Sequence, residues 1–530
     1  MELARSMLRQ ATRFGSGTFI SRVAGLFRDI LMAAVLGSGE HVAAFFMAFR
    51  FSNVLRRILG EGAMQSALIP VFEEYRIESE ERAARFFRAT WVMVSGILLI
   101  ILLLTEGILG WVNYTWPQHS FSEAFTLTMV MAPGLLFVCW YGIQAALCTC
   151  YGHFFTPAVA PAAFNIIWIL ALISMQGWAP AEIVTVLSAT IVGAYALQWI
   201  AVTPVTVGAL RQALGRDWWR ERFESLAPLK RLIAPLTLGL VGVSAAQLNS
   251  MMDAVFARVA DPSGPAYLWY AIRLEQVPIG VIGVALSNAA LPSLARCLHR
   301  GALGEFSELV RTSLVRSGQA MLLFTTLFLA MGYPLMETIF CRGAFCRMAT
   351  AETTLCLWAY AIGLVPQTWV ILLTPIFYAA KDYRTPSVAA VLSLACNALL
   401  NACLVYFCGL GAVSIALATG VAAVINLCWL SHRIPGTLNK AVFLPMLRFC
   451  PPLMVGALCA VVAGLWLDDP SLSILYGEFP QGASAPLWIK ASSLLAQGAC
   501  FGVGFFLMGG WRQWRSILQE QPLPSRINSL

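Results

Sequence analysis

Long apolar stretches follow one another along this chain, separated by short polar connections, and each is near the twenty or so residues a helix needs to cross a bilayer core. They run Phe14 to Leu36, Val42 to Ile69, Thr90 to Val112, Thr126 to Cys150, Ala158 to Trp178, Val184 to Ala209 and Leu232 to Ala257. The second series is Tyr267 to Leu294, Ala320 to Leu335, Leu355 to Tyr378, Val388 to Phe407, Ala412 to Leu430, Leu447 to Leu467 and Leu487 to Met508. None keeps a period of two, which argues against a transmembrane barrel. The pattern predicts an all-α integral membrane protein with about fourteen transmembrane helices.

Composition agrees with that reading. Of 530 residues, 59% are apolar and 12% charged, about half the charge that coats water-facing domains. Secreted disulfide scaffolds, disordered chains and free nucleic-acid binders are excluded. The start of the chain reads as a retained first helix and not a cleaved signal, because Arg22 and Arg28 interrupt its apolar run.

The formal charge of +8 takes its meaning from where the 35 basic residues fall. Twenty-five lie on alternate connections and at the two ends, and only Arg258, Arg342, Arg347 and Lys490 lie on the other set. Cytoplasmic loops retain Lys and Arg, so both termini are expected in the cytoplasm. The segment Arg211 to Arg231, with Trp218, Trp219 and Phe223 among its charges, suits either an amphipathic helix on the inner leaflet or a solvated basic loop. Cys341 and Cys346 either close a small loop or stay free thiols; the other cysteines are mostly scattered through apolar runs.

An internal repeat is legible. G-A-M-Q-S-A-L-I-P-V-F (Gly62 to Phe72) is echoed by V-A-L-S-N-A-A-L-P-S-L (Val284 to Leu294), placing Pro70 and Pro292 222 residues apart. Thr156-Pro157 and Thr385-Pro386 repeat at an offset of 229, on the same side of the membrane. Two parallel six-helix lobes followed by two C-terminal helices is a transporter architecture, with the substrate site near mid-membrane at the repeat interface. The expected boundaries are an N-terminal lobe over 1–215, an amphipathic linker over 216–231, a C-terminal lobe over 232–435, and two further helices with a tail over 436–530.

Six basic residues remain inside the predicted spans: Arg22, Arg28, Arg50, Arg56, Arg57 and Arg273, against the acids Asp29, Glu61, Asp253 and Glu275. An Arg at mid-bilayer costs on the order of 3 kcal/mol, so it belongs where it faces water or a partner. Arg57 shares a helix face with Glu61, and Arg22 with Asp29. No acid stands four or seven residues after Arg28, Arg56 or Arg273. Guanidinium groups aimed at a common wet cavity suit phosphate oxygens, which they grip bidentately; the rival reading is that some of them snorkel to the interface. Asn397 and Asn401 share a face and with Asp253 offer oxygens for a sodium ion, or else serve as interhelical hydrogen-bonding groups. The sequence carries no P-loop, H-E-x-x-H or G-x-S-x-G motif. That points away from an enzyme and from any bound cofactor, and leaves an ion gradient or the membrane potential as the energy source. A membrane-embedded glycan polymerase or phosphotransferase would need acids or His clustered on an outer loop, and those are missing.

S-R-V-A-G-L-F-R-D (Ser21 to Asp29), A-F-F-M-A-F-R-F-S-N-V-L-R-R-I-L-G-E-G-A (Ala44 to Ala63), Y-A-I-R-L-E-Q-V-P-I-G-V-I-G-V-A-L (Tyr270 to Leu286) and F-Y-A-A-K-D-Y-R-T-P (Phe377 to Pro386) closely resemble the MurJ (MviN) family of lipid II flippases. The resemblance covers the first twelve helices in order. It implies an exporter-type fold that moves the undecaprenyl-diphosphate peptidoglycan precursor from the inner to the outer leaflet of the bacterial inner membrane by alternating access, acting as a monomer with membrane lipids around it. It places Arg22, Arg28, Arg56 and Arg273 in a cationic central cavity, with Asp29 orienting the arginines and Glu61 near a gate. It also implies a lipid-tail groove at the two extra helices and coupling to sodium, as in some relatives, or to protons. Ala43 and Ile272 stand where many members carry acids, and Gln276, beside Glu275, stands at a position of gating acids or amides. The departures put the gating pairs in question more than head-group binding. Rivals within the superfamily are a flippase for another polyprenyl-diphosphate glycan and a multidrug exporter; an exporter of cationic drugs calls for an acidic cavity.

Overall fold

In the computed structural model the described residues are 20–57, 63–219, 230–380, 382–434, 440–467, 469–471, 474 and 485–510. Where the expected apolar stretches are described, they fall largely on helix. Residues 20–36 form α1, followed by α2 (Glu40–Leu55), α3 (Ala63–Glu78), α4 (Glu80–Thr115), α5 (Ser122–Met131), α6 (Gly134–Cys150), α7 (Phe155–Ser174), α8 (Pro180–Leu214) and α9 (Lys230–Ala260). The series continues with α10 (Gly264–Pro278), α11 (Ala285–His299), α12 (Leu303–Ile339), α13 (Arg347–Ile362), α14 (Leu364–Ala379), α15 (Arg384–Cys403), α16 (Val413–His432), α17 (Lys440–Trp466) and α18 (Leu487–Leu507). Among the described residues nine helices are long and apolar enough to cross a bilayer, or eleven when each of two bent pairs is one span.

The irregularities have local causes. The expected fourth span bends by 49° between α5 and α6, where Pro133 lacks the N–H that would continue the helical hydrogen-bond ladder. The tenth bends by 47° between α13 and α14, around Gly363 and three residues before Pro366. The eighth passes through a π-helical stretch, Ile279–Val284, directly after Pro278. A π-helical turn also appears at Arg56 and Arg57 after α2. The repeat anchors Pro70 and Pro292 lie inside α3 and α11. Arg82, Arg85 and Arg88 precede the apolar stretch that starts at Thr90, yet they belong to α4, whose 36 residues measure about 54 Å at 1.5 Å per residue. That exceeds a bilayer core of about 30 Å, so the charged first turns of α4 extend beyond it, tied by Arg82–Glu78 (2.8 Å) and Arg85–Glu81 (2.5 Å) ion pairs.

Contacts divide the chain into two compact units, Met1–Arg258 and Val259–Leu530. In the first, α8 packs on α5, α6 and α7, α4 on α3, α5 and α6, α2 on α5, and α3 on α6. In the second, α16 packs on α13, α14 and α15, α12 on α11, α13 and α14, α10 on α13, and α11 on α14. These are the same pairings shifted by eight helices, and both bends recur at one offset, Pro133 against Gly363, 230 residues apart. α17 and α18 form a hairpin laid on α12 through Met331, Phe449, Leu453, Phe501 and Phe505. α12 kinks at Met331 (φ −128°, ψ 16°), three residues before Pro334. In the connection ahead of α15, the Thr385 hydroxyl and backbone N–H hold the Asp382 carboxyl below the usual carboxylate range, the N–H donating at 3.0 Å. Cys341 and Cys346 are free thiols.

Candidate functional site

Arg28, in α1, is a buried cation of the first unit held by two side chains and an aromatic face. Its Nε and Nη2 donate to Asp29 Oδ1 at 3.0 and 2.7 Å, and its Nη1 donates to Asn165 Oδ1 at 2.9 Å. The guanidinium plane lies over the Trp168 ring, 4.4 Å from its centroid. Arg28 is 7% and Asp29 2% exposed. Asn165 also donates through Nδ2 to Ser21 O at 3.2 Å, fastening α1 to α7. Trp168 is itself fixed edge-on against Phe45 and Phe49 of α2, so three helices set the orientation of one side chain. The i, i+7 face-sharing of Arg22 with Asp29 is therefore not how the acid is used: the long Arg28 side chain folds back on its neighbour. Arg22 is exposed.

α2 carries the remaining first-unit arginines. Arg50 is buried and its Nη1 donates to Ser250 O of α9 at 3.2 Å. Arg56 is half-buried, its Nε donating to Asn53 Oδ1 at 2.9 Å while Asn53 Nδ2 donates to Phe49 O. Arg57 is exposed. Glu61, and with it the expected Arg57–Glu61 pair, lies outside the described residues. Asp253 is buried and its Oδ2 accepts from Asn249 Nδ2 at 3.2 Å.

In the second unit Arg273 is half-buried and lies 4.1 Å over the Trp269 ring, one turn earlier in α10. Glu275 is 2% exposed and its Oε1 accepts from Gln367 Nε2 of α14 at 2.8 Å. Gln276 is exposed. Asn397 and Asn401 are fully buried on one face of α15. The structure thus groups Arg28 with Asp29 and Glu275 with Gln367, and assigns Asp253 to the first unit and the two Asn to the second.

Several buried polar groups were not singled out by the sequence reading. Asn165 and Trp168 sit three apart in an apolar helix, and that N-x-x-W spacing was the only signal available. Arg258, counted among outer-loop charges, is buried and gives hydrogen bonds to Glu40 (2.6 Å) and Ser120 O (3.2 Å). Arg88 is buried and donates to Trp218 O at 2.5 Å. Lys490 is buried and donates to Cys341 O at 2.6 Å. Each spends its charge on a carbonyl or an acid that only folding brings near.

Comparison with known proteins gives the family. The family model described as lipid II flippase MurJ matches residues 32–476. The chain belongs to this family. The probable lipid II flippase MurJ of Chlamydia pneumoniae is 30% identical over 440 residues, covering 81% of this chain and 78% of that protein. The lipid II flippase MurJ of Burkholderia cenocepacia is 30% identical, covering 84% and 87%. A solved lipid II flippase MurJ, in an inward closed conformation, superposes with a TM-score of 0.72 at 20% identity over 96% of this chain and 99% of its own. An inward-facing multidrug transporter of the MATE family reaches 0.62 at 12% identity over 81% and 98%. The last two likenesses describe the fold.

Proposed function

We infer that this chain is a transporter and no enzyme: a flippase that moves lipid II, the undecaprenyl-diphosphate-linked peptidoglycan precursor, from the inner to the outer leaflet by alternating access. The observation that carries this is the family match over most of the chain. The residue chemistry supports it. Arg28 uses three of its five N–H groups on Asp29 and Asn165, leaving two for a diphosphate oxygen, and its Trp168 platform keeps the fork from collapsing. Arg22 and Arg56 in the first unit and Arg273 in the second are read as further cationic ligands of the diphosphate. The prenyl tail stays in lipid. A multidrug exporter of the same fold is the second reading, favoured by the MATE likeness alone; buried arginines disfavour a cationic drug.

Glu61, Glu275 and Gln276 are read as gating residues. Coupling to sodium, with Asp253, Asn397 and Asn401 as oxygen donors, or to protons, belongs to the same proposal, as do a monomeric working state and cytoplasmic termini in the bacterial inner membrane. The deciding experiment is depletion of the flippase of a host cell, followed by leaflet-resolved labelling of lipid II. Wild-type chain is expected to clear the inner-leaflet excess, and Arg28→Ala at equal membrane abundance to slow clearance at least tenfold. Normal clearance by that variant would remove Arg28 from the site, and failure of the wild type would remove the function.

A further inference from the structure

The second unit contains a cavity of about 190 Å³ unconnected with the residues discussed so far. Its walls come from α12 (Leu329, Ala330), α13 (Trp358), the end of α17 (Val461, Gly464, Leu465) and α18 (Gln497), and its polar side from Asp469 and Ser471 just beyond α17. Leu329 and Leu465 are 45% and 54% exposed on helices long and apolar enough to cross the bilayer. They form the exposed, apolar rim of the cavity.

The polar groups are arranged for a cation. Asp469 Oδ1 accepts from Ser471 N and Oγ at 2.9 and 2.6 Å, and Oδ2 accepts from Gln497 Nε2 at 2.7 Å. The Asp469 N–H donates to Gly464 O at 2.9 Å, folding the carboxylate back against the C-terminal end of α17, the negative pole of that helix. Gln497 is fully buried, and its Oε1 has no hydrogen-bond partner among the described residues. A buried amide oxygen without a donor costs on the order of 1–3 kcal/mol, and such a group in a native fold asks for an explanation. Trp358 spends its indole N–H on Phe328 O at 2.9 Å, so what it brings to the wall is its aromatic ring. Gly464 lets the groups close up, since a Cβ there would stand 3.3 Å from both Gln497 Nε2 and Asp469 Cβ.

A carboxylate, a donor-less amide oxygen, an indole and apolar walls are together the recognition chemistry of an organic ammonium group. The volume exceeds what a bare monovalent ion fills, and the exposed leucines at the rim favour a ligand that arrives within the bilayer. We propose that this cavity binds the ammonium head of a phospholipid of the ethanolamine class, with Asp469 and Gln497 Oε1 receiving its N–H donors. The site is independent of the diphosphate ligands and stands whether or not lipid II is the cargo.

The test is native mass spectrometry of the delipidated full chain titrated with phosphatidylethanolamine, phosphatidylglycerol and N-acetylated phosphatidylethanolamine of identical acyl chains. Wild type is expected to retain phosphatidylethanolamine about fivefold or more over the other two. Asp469→Asn and Gln497→Leu should bring the ratio to about one, whereas Asp469→Glu, which keeps the carboxylate, should retain a preference. Equal retention of the three lipids by the wild type overturns the proposal without reference to any variant. An unchanged preference in both Asp469→Asn and Gln497→Leu moves the lipid elsewhere and also overturns it. Free ethanolamine raising the melting temperature of wild type but not of Asp469→Asn, with no lipid preference, would assign the cavity to a soluble amine and defeat the lipid assignment.

Discussion

Arg28 illustrates how a single side chain in a membrane protein is made affordable. Its charge is met by Asp29, one Nη is met by Asn165, and its face is covered by Trp168. Removing one support leaves a buried charged donor unsatisfied, which costs on the order of 1–3 kcal/mol. Asn165→Leu is therefore expected to lower stability by about 2 kcal/mol in thermal unfolding of the detergent-solubilised protein. Asn165→Asp, which keeps the acceptor for Arg28 but gives up the Nδ2 donor to Ser21 O, should lose less. Equal losses in the two variants would mean that packing, and not the hydrogen bond, is what Asn165 supplies. The same logic explains why Arg88, Arg258 and Lys490 are tolerated in buried positions: each reaches a carbonyl or carboxylate within 2.6 Å.

At the level of elements, the two bent spans are the duplicated feature with the clearest steric cause. At Gly363 an added Cβ would stand 2.9 Å from Gln367 Nε2 and 3.0 Å from the Gly420 Cα of α16. The second contact is backbone and cannot move aside. Gly363→Val should accordingly destabilise the second unit by about 1–3 kcal/mol through overpacking, and it should disturb the Gln367–Glu275 hydrogen bond. Gly193→Ala in α8, where a Cβ meets nothing within 4 Å, should be neutral or stabilising by up to about 1 kcal/mol. Thermal unfolding of the pair checks the argument; a silent Gly363→Val would show that the bend has room the contacts do not suggest.

For the molecule as a whole, the proposed orientation rests on twenty-five basic residues against four. α4 and α12 show that many of the twenty-five sit on helical extensions instead of loops, but a helix turn protruding into the cytoplasm retains charge as a loop does. Reporter enzymes active only in the cytoplasm should therefore work when fused at either terminus and fail when inserted between α12 and α13, near Arg342. Activity at that insertion would invert the assignment.

How much of this was legible beforehand varies with the range of the interaction. Fourteen apolar stretches, the parallel duplication and the family itself follow from hydropathy, charge and motif, because lipid imposes an approximately one-dimensional rule on the chain: each span must satisfy its own backbone and bury no idle charge. The bends at Pro133 and Gly363 were not read from the sequence, which shows each span as one uninterrupted stretch, although a proline and a glycine stand at the two places. What the linear text could not supply was partnership. Periodicity paired Arg22 with Asp29, but in the fold the acid turns to Arg28, because Asn165 and Trp168 arrive from α7, more than 130 residues away. Likewise nothing in the spacing of Asp469 and Gln497 announces a cavity; only the closure of α17 and α18 onto α12 and α13 encloses it. The sequence by itself determined which segments are apolar enough for lipid and in what repeated order they come. Tertiary structure alone decided which polar groups within them meet, since a hydrogen bond acts over about 3 Å and depends on where distant helices stop.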